Sequence, residues 1–352
     1  MKIPRKIEFK GYVKAMQPIV HLSGETSGRD DRKVNSIIVQ KFILADGTEI
    51  FVPKVNANAV RGIMRDCMAS AYCADKGIDF SHIETFNLFF SGGMRLERGN
   101  GKKVENIFND LGIEIGENFE LAVIENLALK EPLVSLLGGS VGKTMIESRI
   151  NFSNLISMTR ETRPFIDMAV LRHYLTGTME DIEEAEDLPL PGCGDIIDKM
   201  FITKRDDALN PKNIEYFTDQ GVDEIRRYII EIADSKEREK NRSKNDKRAK
   251  NQDVVDSAED ESLTVTKSVK DIHQFEAIAA GTCMESIITL TGVTDEQLGI
   301  FLAGLRFFAN TPYLGGWKSR GCGRVEFSYL VFEDGEEKGR VALVGNKYEE
   351  KL

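Results

Sequence analysis

The sequence has no apolar run approaching the ~20 residues that a bilayer-spanning helix needs. Its opening residues, Met1-Lys2-Ile3-Pro4-Arg5-Lys6, lack the apolar h-region of a secretory signal. Both absences point to a cytoplasmic chain with no membrane partner. The five cysteines (Cys67, Cys73, Cys193, Cys283, Cys322) form no C-x-x-C pair. The four histidines (His21, His82, His173, His273) lie far apart, with no H-E-x-x-H and no mixed His/Cys cluster. A zinc centre therefore has no evident ligand set, and the cysteines read as reduced thiols in a reducing compartment. No metal and no cofactor is expected. A net charge of −10 argues against indiscriminate nucleic-acid binding. It leaves room for a basic groove on an acidic body, because the lysines and arginines are clustered.

What is present is a chain of 352 residues, long enough for a substantial core in one or two domains, with 41% hydrophobic and 30% charged residues. Its most informative stretch is Leu314-Gly315-Gly316-Trp317-Lys318-Ser319-Arg320-Gly321-Cys322-Gly323-Arg324. Glycine permits sharp turns and leaves backbone amides unscreened, so consecutive N–H groups can face an anion. Lys318, Arg320 and Arg324 add charge, Ser319 a hydroxyl, and Trp317 a flat surface on which a base could stack. A glycine-rich turn carrying surface charges for solubility would use the same residues, so the loop alone leaves both readings open.

Ile7, Phe9, Gly11 and Val13 alternate with Glu8, Lys10, Tyr12 and Lys14, the period of a half-buried strand. A turn-rich segment follows from His21 to Asp31. Ile37 to Leu44 and Thr48 to Val52 then read as a hairpin closed by Asp46-Gly47. A helix is expected from about Asn58 to Cys73, with Val60, Ile63, Met64, Cys67 and Ala71 as its apolar stripe. Arg61 and Arg65 share another face of it. Asn58 is the expected N-cap, leaving N–H groups at the helix start free to meet an anion. Two solvated arginines on an exposed face is the plainer alternative.

Arg149 to Ile156 reads as a short strand and Phe275 to Leu290 as a strand pair or one long strand. Thr294-Asp295-Glu296-Gln297 fits a capping box, followed by Leu298, Phe301, Leu302, Leu305 and Phe308 on one helical face. Val325 to Phe332 closes the series. The order of these elements is βαββαβ, an α+β, ferredoxin-like or RRM arrangement. Insertions fall at about 75–145 and about 158–272. The second carries a basic run, Lys236 to Lys250, and an acidic patch, Asp253 to Glu261; without apolar anchors it reads as a solvated helix or disorder.

Two motifs mislead. Gly138-Gly139-Ser140-Val141-Gly142-Lys143-Thr144 resembles a P-loop, but the required first glycine falls on Leu137. Asp30-Asp31 could serve acid–base or metal-assisted RNA cleavage, yet adjacent loop aspartates are more often a solvated turn.

Together, the turn with His21 and Gly24, the Asn56-Ala57-Asn58-Ala59-Val60-Arg61-Gly62-Ile63-Met64-Arg65 helix, Leu137-Gly138-Gly139, Ser148-Arg149-Ile150 and the glycine loop form a pattern. It resembles the RAMP superfamily of CRISPR-associated proteins, specifically the backbone subunit of the Cas seven group, and is most similar to the type IV form. Markers run from about residue 7 to 332. The resemblance implies one RRM-like palm domain over residues 1–352. It also implies partly helical fingers at about 75–145, and a thumb hairpin plus a charged segment at about 158–272. It further implies a filament of copies along a guide RNA (crRNA), other effector subunits as partners, and pairing of the guide with a target nucleic acid. RNA-binding roles carry over to Asn58, Arg61, Arg65, Ser148, Arg149, Gly316, Trp317, Lys318, Ser319, Arg320 and Gly321, with no catalytic residue. Type III members cut target RNA with a loop aspartate, which keeps an alternative open: cleavage by Asp30 or Asp31.

Overall fold

The computed structural model describes residues 4–27, 34–94, 101–112, 127, 129–141, 144–176, 190–204 and 271–352. In chain order the early strands are β1 (Lys6–Ala15), β2 (Leu22–Ser27), β3 (Val34–Ile37), β4 (Val39–Ile43) and β5 (Glu49–Val55), followed by helix α1 (Ala57–Lys76). The central elements are α2 (Ile83–Phe86), a π-helical turn at Asn87–Ser91, β6 (Gly93–Met94), α3 (Gly101–Asp110), α4 (Pro132–Leu137), β7 (Gly139–Val141), β8 (Thr144–Ile146), β9 (Ile150–Phe152) and β10 (Leu155–Ser157). Then come α5 (Met168–Thr176), β11 (Ile197–Lys204), β12 (Asp271–Ile278), β13 (Cys283–Thr291), α6 (Asp295–Asn310), β14 (Val325–Glu333), β15 (Glu336–Val344) and β16 (Lys347–Lys351). The architecture is mixed α+β.

Alternation along β1 sets the frame. Ile7, Phe9, Val13 and Ala15 are buried on one face, while Glu8, Lys10 and Tyr12 lie on the other, half-buried. Antiparallel neighbours continue each face: Phe9 pairs with Ile288 of β13 and Val331 of β14, and Val13 with Met284 and Phe327. The nine-stranded sheet runs β16–β15–β14–β1–β13–β10–β5–β4, with β9 also paired to β13. Helices α1 and α6 pack together over the apolar face, where Val60, Met64 and Met68 meet Leu305 and Phe308. Phe9 meets Phe301 edge-on at 4.8 Å, and Phe308 stacks on Phe327 at 6.1 Å. Each such fully buried side chain contributes about 1.5–3 kcal/mol. On the opposite face α5 covers Tyr12, whose ring lies 5.5 Å from His173 and 5.4 Å from Tyr174.

Local chemistry explains the helix ends. Thr294 Oγ1 accepts from the Gln297 N–H at 3.2 Å and Gln297 Oε1 accepts from the Thr294 N–H at 3.0 Å, completing the capping box of α6. Helix α1 ends at Gly77, which adopts the left-handed conformation and returns its N–H to Cys73 O.

Several expectations meet a different outcome. The Phe275–Leu290 region is two strands, but β12 and β13 belong to different sheets, β12 lying in a four-stranded sheet ordered β11–β12–β3–β2. Part of the turn-rich segment is strand β2. The Arg149–Ile156 strand is broken at Ser153-Asn154 into β9 and β10. Backbone contacts divide the chain into one unit of residues 1–200 with 275–352, and a second of residues 201–274. Most of the second unit lies outside the described residues, as do Asp30, Asp31, Lys143 and the charged run at 236–250.

Candidate nucleic-acid interface

Two consecutive residues, Val20 and His21, join the glycine loop to the start of α1. The Val20 carbonyl accepts the Gly316 N–H at 2.9 Å, and the His21 Nε2 accepts the Asn56 N–H at 3.2 Å. Neighbouring bonds clamp the loop further: Gly323 N–H donates to Pro18 O at 2.9 Å and Leu314 N–H to Gly323 O at 2.8 Å. Two glycines are needed for this approach. Gly315 (φ 75°) and Gly323 (φ 90°) are left-handed, and a Cβ on either would overlap the carbonyl oxygen of Val20 or Leu314.

The N-cap of α1 is Asn56, with extended backbone (φ −64°, ψ 140°), and not Asn58, which is the exposed second helical residue. The expected free helix start is mostly occupied. Asn56 donates to His21, and Ala57 N–H donates to Asn154 Oδ1 at 2.9 Å. Asn154 Nδ2 in turn donates to Gln40 Oε1 at 3.2 Å, which also accepts from Lys54 Nζ at 3.4 Å. Because His21 Nε2 accepts, its proton sits on Nδ1 and the ring is neutral. Burial, and then the charge of Lys54, hold its pKa below the usual imidazole value.

The arginines of α1 do something the sequence did not suggest. Arg65 is 6% exposed, and its guanidinium donates to the carbonyls of Leu88, Phe89, Leu137 and Gly138. Burial, then the charge of Arg61, lower its pKa to about 10. Arg61 is half-buried and also donates to Leu137 O, at 2.6 Å. Ser148 Oγ donates to Leu136 O at 3.2 Å and Ile150 O at 2.8 Å, and the Arg149 N–H reaches Leu136 O at 3.0 Å. The unsatisfied carbonyls at the end of α4 are thus capped by residues expected to hold RNA. Arg149 reaches the start of α6 instead, through Gly292 O at 2.7 Å and Gln297 Oε1 at 3.4 Å. Arg65 is thus buried among four carbonyls, all within the protein.

The glycine loop keeps its polar groups outside. Lys318, Ser319 and Arg320 form a single exposed 3-10 turn, closed by Arg320 N–H on Trp317 O at 2.9 Å, with exposed Gly321 following in the left-handed region. The loop and α1 lie together: burial raises the Asp66 carboxyl, while the charges of Arg65 and Lys318 both pull it back. Lys318 likewise opposes the burial that pushes Cys67 up to about 11. Trp317 is not an open platform. Its ring packs tilted at 37° against Phe275, 4.8 Å between centroids, and the Arg320 guanidinium sits over it at 4.7 Å.

The sequence reading missed Val20, His21 as a helix anchor, Asn56 as the cap, Asn154 and Phe275. Only Asn154 left a signal, a polar residue where the Ile150–Phe152 alternation calls for an apolar one. Among the described residues, no group of three or more His, Cys, Asp or Glu side chains could hold a metal ion, and no helix is long and apolar enough to cross a membrane.

No protein-family model matches the sequence, and no curated protein does either. Among solved structures, the chain is similar to one from a type IV-B CRISPR complex at 12% identity and a TM-score of 0.47, over 94% of this chain and 90% of that one. It is also similar to Csc2 of Thermofilum pendens at 13% identity and a TM-score of 0.36, over 95% of this chain and 68% of that one.

Proposed function

We propose that this chain is the guide-RNA-binding backbone subunit of a CRISPR ribonucleoprotein, assembling as successive copies along a crRNA beside other effector subunits. The observation that carries the reading is the Val20–His21 joint. It holds the exposed Lys318-Ser319-Arg320 turn beside the start of α1, so that two cations and a hydroxyl are offered together to one strand of polyanion. Such a grip recognises phosphate and shape and leaves base edges for pairing with a target nucleic acid. The sheet supports the palm reading: β14–β1–β13–β10, with α1 and α6 between strands, is the order of a βαββαβ unit. On that reading residues at about 75–145 are the fingers and about 158–272 the thumb. An acidic remainder, at a net charge of −10, discourages stray RNA.

The role is binding and presentation, without cleavage. Purification followed by extraction should yield RNA, with nuclease-protected lengths rising in a regular ladder as copies add. A nucleic-acid-free monomer would sink the proposal. Incubating the guide-loaded complex with matched RNA and magnesium tests the catalytic reading: intact target is expected, whereas regular cuts lost in Asp30→Ala or Asp31→Ala would make it an endoribonuclease.

A further inference from the structure

We infer that Trp317 is a positioning residue that pins the Arg320 guanidinium for phosphate and does not stack on a base. The inference deepens the RNA-binding reading and rests on it. Trp317 is one of three non-glycine residues with positive φ among the described residues, at φ 64° and ψ 32°. A bulky side chain is rarely found there and persists only when its surroundings fix it. Two contacts do so. Phe275 of β12 packs against the indole at 4.8 Å, tilted by 37°, and Arg320 lies over the ring at 4.7 Å. The left-handed turn at Trp317 starts the 3-10 turn that returns Arg320 to its own ring, through Arg320 N–H on Trp317 O. The indole packs against Phe275 and carries the cation at 4.7 Å, so a base stacking over the ring would compete with the guanidinium.

The chemistry fits this division of labour. A guanidinium flat on an indole loses rotational freedom but keeps its edge N–H groups available for a phosphate, because cation–π contact uses only its face. A free base would gain stacking only by evicting the charge that attracts its backbone. Trp317 then adds affinity by preorganisation, independent of base identity and without a phosphate contact of its own.

The chain has a single tryptophan, so its fluorescence reports this site alone. In the full-length, RNA-free protein, Arg320→Ala should raise acrylamide quenching of Trp317 at least twofold; unchanged quenching would overturn the pin. Oligouridine binding, followed across a potassium chloride series, tests the role. Trp317→Phe should bind within about threefold of wild type. Trp317→Ala, and Arg320→Lys with its charge kept, should weaken binding about 3- to 10-fold at every salt concentration with an unchanged salt slope. Arg320→Ala should also flatten the slope by about 0.7, the value for one phosphate on a single strand. A flattened slope in Arg320→Lys, wild-type affinity in Trp317→Ala, or loss of more than half the tryptophan emission on saturation with oligouridine would each overturn the inference. Failure of the wild type to bind any RNA would instead overturn the functional reading and this role with it.

Discussion

The Val20 carbonyl accepts the Gly316 amide at 2.9 Å, and that bond requires a bare Cα at the preceding position, Gly315. Gly315→Ala adds a methyl inside the Val20 oxygen and a left-handed penalty. A loss of about 2–3 kcal/mol of stability is expected, with much weaker RNA binding although no charge changes. Gly321 is also left-handed but has open space around it. Gly321→Ala should cost only about 1 kcal/mol. Urea unfolding of both variants, with RNA anisotropy alongside, checks the contrast; equal costs would show that the loop is not clamped on Val20.

His21 acts as a hydrogen-bond acceptor for the helix, not as a charge. His21→Ala leaves the Asn56 N–H unpaired and frees α1 from the loop, so RNA affinity should fall about tenfold with the salt slope kept. His21→Gln supplies an oxygen near the Nε2 position and should recover most of that loss. Anisotropy titrations over several salt concentrations distinguish this from a phosphate-contacting histidine, whose removal would flatten the slope.

Arg65 and Lys318 separate folding from binding. Arg65→Met removes the guanidinium from the carbonyls of Leu88, Phe89 and Gly138, leaving Leu137 O to Arg61 alone, and should destabilise the protein by about 3 kcal/mol. Lys318→Ala should leave the unfolding midpoint unchanged and reduce the salt slope of RNA binding by about 0.7. Thermal denaturation and salt-dependent binding on the same two preparations would expose a reversed assignment.

His173 makes stability depend on acid. Burial, then the nearby Arg340 charge, hold its pKa down at about 4, while its Nε2 meets Ser328 Oγ at 2.8 Å. The native state therefore keeps a neutral ring where the unfolded chain, titrating near 6.5, takes a proton. The contribution is fully present above pH 6.5 and is lost as pH falls, reaching about 3 kcal/mol near pH 4. His173→Gln should reduce that slope relative to wild type in urea midpoints between pH 4 and 7. Parallel pH profiles for the two proteins would refute it.

Much of the frame was legible in the sequence because it rests on local rules. The alternation of β1, the apolar stripes of α1 and α6 and the Thr294–Gln297 capping box are each set within one segment. The site was less legible because its bonds cross long separations. An arginine pair at i,i+4 looks the same whether it faces phosphate or the carbonyls of a helix more than 70 residues away, as Arg61 and Arg65 do with Leu137. The Trp317 ring showed an aromatic surface, and nothing nearby showed that Phe275 and Arg320 occupy it. Strands β15 and β16 went unread, since their glutamates and lysines give little apolar periodicity.

The interruption between β9 and β10 has a consequence for anyone redesigning this protein. Ser153 keeps the ladder intact across the gap, exchanging bonds with Ile287, while Asn154 turns aside to hold the first helical amide. A β-branched apolar residue at Asn154 would suit an extended strand better by intrinsic preference. It would also cut the tie between sheet and helix, so local optimisation here works against the assembled whole.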